Sequence, residues 1–161
     1  MSVMNFGPRT LKANGLRTAV RSLTAAYVCN TAPVIDDGLT LRLDLAAGFA
    51  VTLPAALGSG RKFRFVVGTL LTSGTYIVKV ANATDVMAGG VTINDIGDTS
   101  AATADFFPTA ASSDTFTMTA SLGAGKIGDW VEFEDIKSGF WAVRGSLQGL
   151  TDPATPFSAT V

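Results

Sequence analysis

Residues 129–136 read DWVEFEDI, and residues 139–147, after Lys137 and Ser138, read GFWAVRGSL. Apolar and polar residues alternate over residues 131–134 of the first segment, which is the pattern of a β-strand that buries one face. Gly139 tolerates the positive φ that a tight turn requires. The two segments therefore predict a β-hairpin with a two-residue turn at Lys137 and Ser138.

The same two-residue period recurs outward from this hairpin. It is clearest in LTLRLDL (39–45), KFRFVV (62–67) and TFTMT (115–119), and turns that contain glycine separate many of the strand-like segments. Short strands at this spacing are typical of an all-β sandwich or barrel. A length of 161 residues fits one domain. We therefore expect an all-β chain with a single β-sandwich or β-barrel-like body at residues 24–148.

Charge separates the N-terminal end from this body. Residues 1–23 hold four basic residues and no acidic one, whereas the remaining residues hold eight basic and thirteen acidic residues. This pattern indicates an extended basic arm on a mildly acidic body. The segment 16–32 lacks Gly and Pro, which also permits a short helix there. The basic residues of the arm are Arg9, Lys12, Arg17 and Arg21.

The C-terminal residues 149–161 are interpreted as a tail. Pro153 and Pro156 interrupt any regular strand there. Pro156 and Phe157 could still hold the tail against the body.

Several classes of function are disfavoured by composition. The chain contains no histidine, the commonest general base and metal ligand. Its one cysteine, Cys29, has no partner for a disulfide and is expected to be a small buried side chain. The longest uncharged stretch, residues 45–60, is shorter than the roughly 20 residues that span a membrane. We expect a protein that is not an enzyme, with no cofactor, no metal and no membrane partner.

The densest acidic cluster surrounds Trp130 and Phe133 and consists of Asp129, Glu132, Glu134 and Asp135. On a strand, Glu132 and Glu134 share one face about 6.6 Å apart, near the carboxyl separation of an inverting glycosidase. Such enzymes normally need one desolvated acid, which two exposed neighbours on one strand do not provide. A solvated strand face is favoured, and a sugar-binding or cation-binding patch that includes Trp130 and Trp141 is the alternative.

Two further segments suggest ligand sites but fit turns better. Asn94, Asp95 and Asp98, with Asp85, offer oxygen ligands for Ca²⁺, although their spacing matches no EF-hand and these residues are ordinary in turns. The segment 58–62, GSGRK, has the look of a phosphate cradle. It lacks the Walker spacing and precedes a strand, so it predicts a hairpin turn. The basic arm alone, without aromatic residues among its charges, does not predict direct nucleic-acid binding.

Residues 51–161 resemble a family of small structural proteins of tailed bacteriophages, the capsid decoration or cement proteins. The resemblance lies in six segments: LPA (53–55), GSG (58–60) with FRFVV (63–67), VANATDVMAG (80–89), GDWVEFED (128–135), GFWAVRG (139–145) and ATPFS (154–158). It covers about two-thirds of the chain and very little of the first fifty residues.

The resemblance implies a virion protein that is made in the host cytoplasm and binds the outer surface of the head, often as a homotrimer. Its implied partner is the major capsid protein, and its implied role is to stabilise the shell. From the charge of the arm, we expect Arg9, Lys12, Arg17 and Arg21 to contact that partner. A carbohydrate-binding head-fibre or adhesin module, using Trp130 or Trp141 with nearby acids, is the alternative function.

Overall fold

The described residues of the computed structural model are 19–29, 36–97, 103–122, 124–150 and 153–161. Within them the chain forms strands and one short 3-10 turn at Ala120–Leu122. The strands are β1 (Val20–Leu23), β2 (Tyr27–Val28), β3 (Thr40–Leu43), β4 (Ala50–Thr52), β5 (Lys62–Val67), β6 (Thr75–Lys79), β7 (Val86–Asp95), β8 (Ala104–Pro108), β9 (Thr115–Thr119), β10 (Trp130–Lys137), β11 (Phe140–Gly149) and β12 (Phe157–Ser158).

Two mixed sheets pack against each other. The seven-stranded sheet has the order β1-β3-β5-β10-β11-β7-β8, and the five-stranded sheet has the order β12-β9-β6-β4-β2. The expectation of an all-β, sandwich-like body is confirmed. Most of residues 1–23, the expected arm, lie outside the described residues.

Strands β1 to β6 alternate between the two sheets. As a result β1, β3 and β5 are parallel neighbours in one sheet, and β2, β4 and β6 are parallel neighbours in the other. Parallel neighbours cannot be joined by a tight hairpin, so each connection crosses from one sheet to the other. The hairpin turn predicted at Gly58–Gly60 is therefore wrong, because this segment carries the chain from β4 to β5 in the opposite sheet.

Aromatic side chains fill the space between the sheets. The Phe116 ring of the five-stranded sheet lies 6.1 Å from the Phe133 ring of the seven-stranded sheet. Phe65 contacts Phe133 from the neighbouring strand at a centroid distance of 6.1 Å. These buried rings join the sheets because apolar positions on both inner faces follow the two-residue period of their strands.

The N-terminal end of the described chain belongs to the body. Val20–Leu23 pair in parallel with β3, and the Leu23 side chain is buried. The short helix allowed over residues 16–32 is wrong for the described part of that segment, which forms β1 and β2. Tertiary pairing overrides local propensity here, and the arm must end before β1.

The C-terminal segment is attached to the body by pairing and burial. Phe157 and Ser158 form β12, an edge strand that pairs antiparallel with β9. The Phe157 side chain is buried, with its ring 5.5 Å from Phe116. β11 also extends to Gly149, so the expected tail contributes to both sheets.

Candidate functional site

The acidic cluster that the sequence singled out is divided, because Asp129 and Asp135 are buried and only Glu132 and Glu134 lie on the outer face of β10. Val131 and Phe133 are buried in the core, whereas Trp130, Glu132 and Glu134 point away from it and are half-buried. The structure therefore brings these three residues together on one strand face, as their alternation predicted.

Basic side chains from the two neighbouring strands neutralise this cluster. Arg144 of β11 donates from its Nε to the Glu132 carboxylate at 3.0 Å. Lys62 of β5 lies 3.3 Å from the Glu134 carboxylate. Both carboxylates are thus paired with cations across the sheet, an arrangement suited to a stabilised strand face rather than to an acid–base pair.

A cation also covers the indole of Trp130. The Arg64 guanidinium lies 4.3 Å from the centroid of that ring, within cation–π distance. A sugar that stacked on this face of Trp130 would have to displace Arg64. The alternation of basic residues in KFRFVV could have located Lys62 and Arg64, but only the strand register shows which acids they meet.

Trp141 does not belong to this surface. Its side chain is fully buried, and its ring lies 5.7 Å from Phe63. A two-residue turn at Lys137 and Ser138 would have placed Trp141 opposite Glu134, but the turn lies at residues 138 and 139, one residue later than predicted. A register shift between Asp135 and Lys137 then pairs Trp141 with Asp135. A slip of one residue moves a side chain to the opposite face of the sheet. The proposed grouping of Trp141 with Trp130 is therefore wrong.

Of the four arm residues, only Arg21 lies within the described residues. Its guanidinium contacts the buried Asp36 carboxylate at 2.9 Å and lies 4.9 Å from the Tyr27 ring centroid. Tyr27 donates its hydroxyl to Asp36 at 2.7 Å, and burial together with this hydrogen bond raises the pKa of Tyr27 to about 12. Arg21 thus anchors β1 to the body. The structure does not describe Arg9, Lys12 and Arg17.

Cys29 is buried next to this cluster, as expected for a small apolar side chain. Burial raises the pKa of its thiol well above the usual range, and the Asp36 charge acts in the same direction. The thiol is therefore protonated at neutral pH, which makes it a poor nucleophile.

The segment that looked like a phosphate cradle does bind an anion, but the anion is part of the protein. The Asp135 carboxylate accepts hydrogen bonds from the backbone amides of Leu57, Gly58 and Ser59 at 3.1, 2.7 and 2.9 Å. The Ser59 hydroxyl adds a fourth at 2.6 Å. Burial alone would raise the pKa of Asp135, but the hydrogen bonds from Ser59, Gly58 and Leu57 together hold it below its ordinary value. The backbone amides of residues 57–59 thus form an anion-binding nest, and the Asp135 carboxylate occupies it.

Two more buried aspartates hold backbone segments in place. Asp129 accepts hydrogen bonds from the amides of Gly125, Lys126 and Gln148, and burial raises its pKa despite them. Asp114 accepts from the amides of Thr160 and Val161 at the C-terminus. Burial acts to raise the pKa of Asp114, but its hydrogen bonds lower it on balance.

The residues considered as a Ca²⁺ site have structural contacts instead. The Asp85 carboxylate accepts from the Ala56 amide and the Asn82 side chain, both at 2.9 Å. Asp95 accepts from the Gly97 amide at 2.7 Å, and Asp98 is outside the described residues. Across the part of the chain that the structure describes, no group of three or more acidic, Cys or His residues could hold a metal ion.

A cavity of about 220 Å³ lies beneath the C-terminal segment. Its described lining combines apolar side chains such as Ile93, Leu147 and Phe157 with the threonines Thr117, Thr119 and Thr155. None of its described lining residues carries a carboxyl, amino or thiol group, and its polar side chains are the hydroxyls of threonine and serine.

Comparison with known proteins identifies no relative. No protein-family model, no curated protein and no solved structure matches the chain. Within the described ranges, no helix has the length and apolar character needed to cross a membrane.

Proposed function

We propose that this chain is a non-catalytic structural protein that binds the outer surface of a tailed-phage head and stabilises the shell. Its residence in the virion and its partner, the major capsid protein, are part of this proposal. Support comes from the sequence resemblance to decoration proteins and from the all-β body. It also comes from buried aspartates that hold loops and termini together, Asp85, Asp114, Asp129 and Asp135.

The observation that carries the proposal is how the basic N-terminal segment joins the body. Residues 1–18 contain Arg9, Lys12 and Arg17 and no acidic residue. They lead directly into β1, an edge strand of the larger sheet, which the Arg21–Asp36 ion pair ties to the core. A binding segment attached in this way transmits the pull of its partner to a firmly folded body.

Arg21 has a different role from the other basic residues in this proposal. Because its guanidinium already pairs with buried Asp36, we assign it to anchoring the segment. Arg9, Lys12 and Arg17 are assigned to contact with an acidic shell surface, where clustered positive charge gives electrostatic complementarity.

Deletion of residues 1–18 tests this assignment, since the cut leaves β1 and Arg21 in place. The shortened chain should keep its thermal unfolding temperature but fail to add to purified heads assembled without this protein. A full-length variant with Arg9, Lys12 and Arg17 replaced by glutamine should show the same loss. A full-length Lys126→Gln variant is the control for removal of a basic residue elsewhere. Normal occupancy of heads by the shortened chain would contradict the role of the segment.

A further inference from the structure

The outer face of the seven-stranded sheet presents a surface that we name the cationic face, made of Arg42, Lys62, Arg64 and Arg144. We propose that the cationic face is the surface with which the body docks onto an acidic protein. This inference rests on the proposed function only for the identity of that partner, which would be the shell.

The carboxylates on this face lie beneath the cations. In the Arg42–Asp44 pair the side chains are 50% and 13% exposed, and in the Lys62–Glu134 pair they are 46% and 29% exposed. In the Arg144–Glu132 pair the values are 62% and 14%. Each pair is close to neutral in sum, but its positive member is the more exposed one. The outermost layer is therefore positive.

The other sheet lacks this charge. Among the strand residues of the five-stranded sheet, Lys79 is the only charged one, and threonines occupy many of the remaining outward positions. The body is acidic in sum, with thirteen acidic residues against eight basic ones beyond residue 23, yet it shows a positive layer on one side. Such one-sided charge orients a protein toward an oppositely charged partner.

The composition of the cationic face is that of a protein interface. Arginine and tryptophan are the residues most enriched at the energetic centres of such interfaces, and here Arg64 is stacked on Trp130 at 4.3 Å. Stacking restricts the guanidinium before any partner arrives, so less side-chain entropy is lost on binding.

The shape of the cationic face also favours a protein over nucleic acid as its binding partner. A groove of about 230 Å³ runs beside Glu132 and Arg144, and its lining includes the small residues Ala88, Gly89 and Ala142. Such a groove accepts an apolar side chain of the partner that lies next to one of the partner's carboxylates. Single-stranded nucleic acid stacks its bases on aromatic rings, and Arg64 covers one face of Trp130 against such stacking.

The test measures binding of the full chain to two polyanions of matched charge, poly-L-glutamate and oligo(dT), by fluorescence anisotropy at low and physiological ionic strength. The Arg64→Gln, Arg144→Gln double variant should bind polyglutamate about tenfold more weakly than the unaltered chain. Lys79→Gln removes one positive charge from the opposite sheet and should leave binding unchanged. Arg64→Gln alone, which disrupts no ion pair, should give part of the loss and covers the case in which the double variant does not fold.

The docking inference is overturned if the unaltered chain does not bind polyglutamate, or if Lys79→Gln weakens binding as much as Arg64→Gln. Tighter binding to oligo(dT) than to polyglutamate would also overturn it and would point to nucleic acid. Addition to heads is measured separately. A chain that binds polyglutamate through the cationic face but never adds to heads would contradict the proposed function and support the docking surface.

Discussion

The Asp135 carboxylate binds a backbone turn that lies 76–78 residues earlier in the chain. It closes the end of β10 against the connection between β4 and β5, which belong to different sheets. One side chain thus joins the central hairpin to the crossing between the sheets. Its contribution to stability depends on both its shape and its negative charge.

Replacing Asp135 with Asn should remove that charge and place a donor against backbone donors. The free energy of unfolding should fall by about 1.5–3 kcal/mol, the range for hydrogen bonds to a charged group. Urea unfolding measures this loss. Asp105→Asn, at an exposed position on β8, is the matched control and should leave the urea midpoint almost unchanged. Equal stability of the two variants would contradict the role of the nest.

The pKa shifts of the buried aspartates predict how stability depends on pH. Because the pKa values of Asp135 and Asp114 are lowered in the folded state, both stabilise the fold above about pH 4, the ordinary aspartate value. That stability should be lost as the pH falls below this value. The raised pKa of Asp129 has the opposite sign, so its contribution is present at low pH and is lost as the pH rises through its folded value.

Urea midpoints measured across the acid range separate these contributions. Asp135→Asn should reduce the loss of stability on acidification, because one group that must be protonated is gone. Asp129→Asn should enlarge that loss, because it removes the opposing contribution. The same pH profile in both variants would rule out this assignment.

At the scale of elements, the connections between sheets depend on close backbone approach. Gly48, with a φ of +72°, precedes β4, and a Cβ built there would lie 2.1 Å from the carbonyl oxygen of Thr75 at the start of β6. Gly60 has the same φ of +72° but nothing within 4 Å of such a Cβ. Alanine substitutions at Gly60 and Gly48 therefore distinguish the cost of backbone strain, which both share, from the cost of a steric clash, which only Gly48 has.

Gly60→Ala should lower the free energy of unfolding by about 1 kcal/mol through backbone strain alone. Gly48→Ala should cost a further 1–3 kcal/mol or so, because the parallel strands β4 and β6 must move apart. Chemical denaturation of both variants measures the difference. If Gly48→Ala were no more destabilising than Gly60→Ala, the close approach of the two elements would be contradicted.

The C-terminal strand is the second element whose contribution can be measured. Phe157→Ala should lower the free energy of unfolding by about 3–5 kcal/mol, because the ring is buried against Phe116. Phe106→Ala on edge strand β8 is the control, since that ring is 63% exposed, and should change stability by no more than about 0.5 kcal/mol. A stable Phe157→Ala variant would show that the C-terminal segment adds little to the sandwich.

At the scale of the whole molecule, the sequence resemblance to decoration proteins predicts a homotrimer. Hydrophobic residues make up 47% of the chain and charged residues only 16%, a composition suited to burying surface in an assembly. Light scattering at micromolar concentration should give three times the chain mass of 16.6 kDa. The Arg64→Gln variant, which alters the proposed docking surface, should keep that mass. A monomeric mass of the unaltered chain would overturn the trimer.

The sequence by itself determined the features that depend on neighbouring residues. Alternation over residues 39–45 and 62–67 predicted strands, because the side-chain period of a strand is local, and two strand-like segments joined by a short turn predicted the β10–β11 hairpin. The outward face of Trp130, Glu132 and Glu134 followed from the same period. The all-β class was therefore predictable without any knowledge of pairing.

Only the tertiary structure decided the contacts between distant residues. Local patterns cannot say that β4 and β5 lie in different sheets, that the Gly58 turn binds Asp135, or that Arg144 pairs with Glu132. The burial of Trp141 depended on one residue of hairpin register, which the turn sequence left undetermined. Register and sheet membership are set by the packing of the whole core, because a shift of one residue exchanges every buried side chain for an exposed one.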